Sequence, residues 1–311
     1  MSLRGRCEWM FGLLFACLVT TEACTFALNH ERQCSHDTDC KRFGTSAVCV
    51  QGACHDSSAT GGGGGGDQTK ETSVEGSTDP GWSCLGKVLW PSKQASSIKI
   101  AMSFFDFVEQ TPVTTDFTVR ACSKMDILCA NPIGPAVAPD ATGIASITVP
   151  SGFDGYAEIV GSIAAGAETP KYVPSLVFFN PPPIEDTNNT MTAMFSPEAL
   201  DVLAESNGNT IDPTLGSVFF GTIDCNGKLG AGVSVEPDRT VEATRRFYYI
   251  DGLPNFAAVA TDAAGYGGLI NLPSGTIRLY AKLAATGQPI ATVSVFIRAG
   301  HISQVDVIPA P

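Results

Sequence analysis

From Trp82 onward the chain is broken into short apolar runs, with turn residues recurring roughly every eight to twelve positions. This cadence constrains the fold more than any other feature. Each run has the length of a strand, and strands that bury one face must stack as pairs of sheets. The runs predict strands over residues 98–105, 116–121, 144–149, 156–160 and 175–179, then 218–223, 232–235, 247–250, 267–271, 276–283, 290–298 and 302–308. Thirty-two glycines and twenty prolines supply turns, while Thr, Val, Ile and Phe supply strand propensity. One helix is predicted near 197–206, where Ser196 is an N-cap, Pro197 suits the first helical position and Asn207-Gly208 ends it. The expected fold class is all-β: two β-sandwich domains in tandem with a short connecting helix.

An internal repeat supports two units. Asp140-Ala-Thr-Gly143, followed by Pro150-Ser-Gly152, recurs about 122 residues later as Asp262-Ala-Ala-Gly265 and Pro273-Ser-Gly275, each set leading into a Tyr-containing strand. Asp and Gly suit a tight turn, and Pro-Ser-Gly stops one strand and starts the next, which reads as hairpin chemistry. Together with Gly216-Ser-Val-Phe-Phe and Gly230-Ala-Gly-Val-Ser-Val, this signature resembles the carboxypeptidase regulatory-like, or transthyretin-like, domain. The first half is similar but departs at Cys122-Ser-Lys-Met-Asp-Ile-Leu-Cys129. The resemblance implies transthyretin-like or Ig-like sandwiches at 82–180 and 216–311, separated by a connector at 181–215. Domains of that kind are non-catalytic modules of display, interaction or support, an implication that rests on analogy of fold.

The N-terminus has another character. Arg4 and Arg6 precede an apolar stretch from Trp9 to Thr20, and Ala23 stands before Cys24, the pattern of an export signal with a lipid-attachment cysteine. The stretch is too short to span a bilayer. A signal peptide over 1–23 and lipid on Cys24 are therefore expected, with Cys17, preceded by Leu14, Phe15 and Ala16, as the rival attachment site. Parity favours Cys24. Of eleven cysteines, removing Cys7 and Cys17 and lipidating Cys24 leaves two even groups: Cys34, Cys40, Cys49 and Cys54, then Cys84, Cys122, Cys129 and Cys225. In an exported chain both groups are expected as disulfides. Within the second, either Cys122 joins Cys129 and Cys84 joins Cys225, or Cys84 pairs inside the first sandwich with Cys122.

The module expected at 24–56 packs four cysteines into residues 34–54, a segment too short to fold on apolar burial without crosslinks. Their pattern, Cys34-Ser-His-Asp-Thr-Asp-Cys40 and Cys49-Val-Gln-Gly-Ala-Cys54, resembles the Cys-rich modules that follow the lipidated cysteine in surface lipoproteins of gliding soil bacteria. That resemblance implies an exported protein of the cell envelope, attached to a membrane through its N-terminal lipid. Thr25 and Phe26 carry no aspartate-type retention signal, which favours the outer membrane. The cysteine spacings match no paired zinc motif, and Asp37 with Asp39 is an isolated pair suited to a solvated turn, so no metal is expected. Residues 57–81, with six consecutive glycines from Gly61 to Gly66, read as a flexible linker reaching about 25–30 Å. They do not form a phosphate loop, because no strand precedes the glycines and no Gly-Lys-Ser or Gly-Lys-Thr follows.

Charge and motifs exclude several functions. A net charge of −12 without basic clusters argues against nucleic acid. The four histidines, His30, His36, His55 and His301, form no HExxH or HxxE zinc pattern, and no GxSxG, SxxK or Walker A motif occurs in a strand-to-helix context. Asp224, Asp251 and Asp262 have turn-forming neighbours. No catalytic residue and no cofactor is expected. The remaining lead is aromatic: Phe104-Phe105-Asp106-Phe107 and Phe247-Tyr248-Tyr249 hold more rings than one buried face of a strand accepts. The expected function is a structural or protein-interaction role. A carbohydrate-binding platform made of those rings is the alternative, and a hydrolase with an unrecognised site is the third reading.

Overall fold

The computed structural model describes residues 36, 38, 41, 47–50, 53–56, 80–90, 92, 95–162 and 170–311. The signal peptide, Cys24, Cys34, Cys40 and nearly all of the linker lie outside the described residues, as do the side chains of Cys49 and Cys54. Strands β1 (Ala47–Val50) and β2 (Ala53–Asp56) form an antiparallel hairpin whose register places Cys49 opposite Cys54, so a strand does precede the glycines at 61–66, contrary to the sequence reading, while the missing Gly-Lys-Ser or Gly-Lys-Thr still argues against a phosphate loop.

The body is nearly all strand. In its first half run β3 (Ser97–Asp106), β4 (Phe117–Ser123), β5 (Ile133–Val137), β6 (Ile144–Pro150), β7 (Gly155–Gly161), β8 (Ser175–Phe178) and β9 (Thr187–Met194). Helix α1 (Pro197–Glu205) follows. The second half holds β10 (Gly216–Thr222), β11 (Val233–Pro237), β12 (Arg245–Ile250), β13 (Leu253–Asn255), β14 (Tyr266–Leu272), β15 (Gly275–Leu283), β16 (Pro289–Ile297) and β17 (Ile302–Val307).

Sheet order shows that the sequence repeat is a structural duplication. In the first half β3 lies between antiparallel β6 and parallel β9; in the second β10 lies between antiparallel β14 and parallel β17. The companion sheets also match, with antiparallel order β4-β7-β8 in one and β11-β15-β16 in the other. The Asp turns are alike: Asp140 Oδ1 accepts from Thr142 N at 2.8 Å and Asp262 Oδ1 from Ala264 N at 2.8 Å, with Gly143 and Gly265 at φ 82° and 67°. Pro-Ser-Gly differs from its hairpin reading. In both copies it is a corner that carries the chain from one sheet to the other, β6 to β7 and β14 to β15.

The two sandwiches share a sheet. Parallel pairing of β8 with β17, Ser175 to Phe178 against Ile302 to Val305, fuses one sheet of each into a nine-stranded sheet ordered β13-β12-β14-β10-β17-β8-β7-β4-β5. Its first face carries Tyr156, Leu176, Phe178, Val218, Phe220 and Val305 into a core against β11, β15 and β16. The second face carries Val119, Ala157, Ile159 and Val177 into a core against β3, β6 and β9. Farther along the second face, α1 covers Phe219, Phe247, Ile270 and Ile302 with Leu200, Leu203 and Ala204. Central strands are thus buried on both sides, as every residue of β10 is, and they read as unbroken apolar runs rather than alternating ones. Adjacent glycines in β14 make room for rings on opposite faces: a Cβ on Gly267 would meet the Phe220 ring at 2.7 Å, and one on Gly268 the Phe247 ring at 2.7 Å.

The segment 181–215, read from sequence as connector plus helix, contains that helix and also β9. Ser196 Oγ accepts from Ala199 N at 3.2 Å, with Pro197 in the first turn, so the helix begins where its cap signals placed it. The stretch 80–90 packs on the second half although it precedes the first: Trp82 and Leu85 enter the core of β11, β15 and β16.

Candidate functional site

Three features of the surface and joints carry chemistry. The first is the joint between the sandwiches. Glu158 on β7, 2% exposed, holds two guanidinium groups, Arg120 from β4 and Arg298 from the end of β16. Arg298 also donates to Tyr156 Oη and to the carbonyl of Ile127, both at 2.6 Å, while Tyr156 Oη donates to the carbonyl of Asp126 at 2.7 Å. Burial pushes the Tyr156 phenol up to about 12, against the opposing charge of Arg298. A side chain from the second sandwich therefore fixes a loop of the first. The disulfide Cys122–Cys129 closes that loop, with α-carbons 5.3 Å apart, and Met125 and Leu128 stand exposed at its tip. Cys122, Cys129 and Glu158 are the one group of three potential metal ligands among the described residues. With both sulfurs in a disulfide and the carboxylate held by two arginines, that group offers no thiolate for a metal.

The second feature is a clasp. Cys84 and Cys225 form a disulfide with α-carbons 5.7 Å apart, joining the residues that precede the first sandwich to the β10–β11 turn of the second. Around it, Cys225 N donates to the carbonyl of Gly81 at 2.9 Å and Trp90 Nε1 to that of Pro309 at 3.3 Å. The Trp82 ring lies over Gly230, where a Cβ would approach within 2.6 Å.

The third is a groove of about 1650 Å³ on the second face of the nine-stranded sheet, alongside α1. Its lining includes Gly221, Tyr266, Gln304 and Asp306 of β10, β14 and β17, residues 181–187 and 189–193 leading into and along β9, and Tyr249 and Pro254 of β12 and β13. Burial raises the phenols of Tyr249 and Tyr266, the latter with help from the Asp306 charge, so both rings are neutral hydrogen-bonding groups. Six carboxylates line the groove, from Asp106, Glu109, Glu185, Asp186, Glu198 and Asp306, against the single ammonium of Lys171. Asp106 is held below the usual carboxylate range: burial opposes this, but amides of Glu109 and Val108, the Tyr172 hydroxyl and the Lys171 charge outweigh it.

The aromatic clusters singled out in sequence do not form a flat exposed platform. Phe247 and Tyr248 are fully buried on opposite faces of one sheet, and Phe104 and Phe105 are buried in β3. Phe105, Phe107 and Tyr249 line the groove, and Phe107 stacks on Phe195 at 4.5 Å between centroids. One buried face could not hold all the rings; two buried faces do. Asp224 caps its own turn through Asn226 N at 2.8 Å and Lys228 N at 2.9 Å, and Asp262 Oδ2 accepts from Asp251 N at 2.8 Å. The ring of His301 faces the carbonyl of Ala299 at 2.7 Å, and burial lowers its pKa. The groove itself was missed in sequence. It arises where two halves meet, and its nearest sequence signal is the run Pro181-Pro182-Pro183 before a Thr-rich strand.

No protein-family model and no curated protein matches the chain. Among solved structures, it is similar to part of the Bacillus anthracis TIE protein, at 12% identity and TM-score 0.22, covering 69% of this chain and 34% of that one. It also spans about a third of that protein's length only. A shaft pilin, SpaA of Lactobacillus rhamnosus GG, is similar at 9% identity and TM-score 0.24, covering 69% and 98% of the two chains. The minor pilin GBS52 of Streptococcus agalactiae is similar at 13% identity and TM-score 0.21, covering 69% and 98%.

Proposed function

We propose that this chain is a non-catalytic protein of the bacterial cell envelope, held by lipid on Cys24 and serving as a rigid structural or protein-binding unit. The observation that carries this reading is the fusion of two sandwiches through one sheet, an inter-half disulfide and the Glu158 network, which makes a stiff body rather than two mobile modules. The carboxylates of Asp106, Asp224 and Asp262 are each occupied in capping turns, a structural use of groups that a hydrolase would direct at a substrate. The N-terminal pattern Arg4, Arg6, an apolar stretch, then Ala23-Cys24 supports export and lipid attachment, and Thr25-Phe26 supports outer-membrane sorting. In this reading Cys34, Cys40, Cys49 and Cys54 form two disulfides in a small module, and the linker read at 57–81, whose last two residues belong to the clasp, spaces the body from the bilayer.

Cys24→Ser is the test. The variant is expected to move from the membrane to the soluble fraction on cell fractionation, and full retention in the membrane would contradict lipid attachment at this residue.

A further inference from the structure

Strand β9 ends its sheet, so one of its edges has no neighbouring strand. The direction of that edge follows from what reaches it. Gln304 Nε2 donates to the carbonyl of Ala193 at 2.9 Å, and Val173 N to that of Phe195 at 2.8 Å, so these odd-numbered residues turn their main chain outward from β3. By strand alternation within the regular stretch from Thr190 the main chain of Met191 points the same way, into the groove, and among the described residues no strand pairs with it. The groove is therefore a slot with an open strand edge along one side, half-buried rings of Tyr249 and Tyr266 on the other, and a strong excess of negative charge.

We infer that this slot binds an extended cationic peptide segment, which adds to β9 as a further strand. The occupant follows from the chemistry of the walls. The main-chain donor and acceptor of Met191 recognise another extended backbone, the mode by which exposed sheet edges take up peptides. Alternate side chains of that strand face the apolar rings, while Glu109, Asp186 and Glu198 attract lysine or arginine and repel an acidic segment. The chain's own linker, with Asp67, Glu71, Glu75 and Asp79 against Lys70, has the wrong charge for the role. This inference rests on the reading of the chain as a binding protein and names the class of its partner.

The experiment is fluorescence anisotropy of a short labelled peptide of alternating lysine and valine, titrated with the detergent-solubilised full chain. Saturable binding is expected, weakening with salt, and at least about tenfold weaker for the matching glutamate–valine peptide. Met191→Pro, which removes the edge N–H, is expected to weaken binding by about tenfold or more. Because proline could disturb β9 itself, the same peptide N-methylated on alternate residues makes the test with unaltered protein, and a similar loss is expected. The double variant Glu109→Lys/Glu198→Lys should reduce the preference for lysine over glutamate. Equal affinity for the lysine and glutamate peptides, or for the N-methylated and plain peptides, overturns the inference, as does absence of binding. Release of Cys24→Ser from the membrane is measured separately, so failure here leaves the envelope reading standing, and the reverse also holds.

Discussion

Replacing Glu158 with alanine is expected to destabilise the protein by about 3–5 kcal/mol, more than any other single change at the joint. Glu158 is buried, and Arg298, whose side chain is only 11% exposed, would be left with an uncompensated charge between two cores. Its remaining partners, the Tyr156 hydroxyl and the Ile127 carbonyl, are neutral and do not offset that charge. Arg120→Ala should cost less, because the Arg120 side chain is one-third exposed and Glu158 keeps Arg298. Chemical denaturation of the two variants checks the ranking. A Glu158→Ala loss below about 1 kcal/mol would mean that the network contributes little to joining the halves.

The second large effect is expected from the clasp. Cys84 and Cys225 are separated by 141 residues, whereas Cys122 and Cys129 are separated by 7. If a disulfide stabilises by restricting the unfolded chain, the long loop is worth about 4–5 kcal/mol and the short one markedly less. The paired variant Cys84→Ser/Cys225→Ser should therefore lower the unfolding midpoint far more than Cys122→Ser/Cys129→Ser. Equal losses for the two pairs, measured by denaturant unfolding under oxidising conditions, would refute the ordering by loop length.

Much of the strand pattern was legible in the sequence, because turn residues punctuate it and apolar runs mark the core. Three strands of the body were not. Strand β5 contains Gly134 and Pro135, and β13 contains Pro254; both are sheet-end strands, where proline is tolerated and little apolar surface is needed. Strand β9 reads Thr-Asn-Asn-Thr-Met-Thr-Ala-Met, and such polarity suits a connector unless the strand buries only one face at an edge. The repeat at Asp140 and Asp262 identified the duplication, but the role of Pro-Ser-Gly as a corner depends on which sheet each flanking strand joins. Fusion through β8 and β17 was hidden for a similar reason. Parallel pairing between strands so far apart leaves no turn motif, and its trace is only the apolar character of Ser175–Phe178. The groove depends on that fusion and so could not be read residue by residue. Cysteine counting gave an even group, whereas the pairing required the distances that only the folded chain supplies.

The central claim is that the two halves are one body joined by a continuous sheet, and a cut chain tests it most directly. A site-specific protease sequence inserted after Gly208, in the exposed turn that follows α1, allows the connection to be severed in the folded protein. After cleavage and reduction of the disulfides, the two fragments are expected to elute together on size-exclusion chromatography, held by the β8–β17 pairing and the Glu158 network. Elution as two separate folded fragments once the Cys84–Cys225 bond is reduced would contradict the shared sheet.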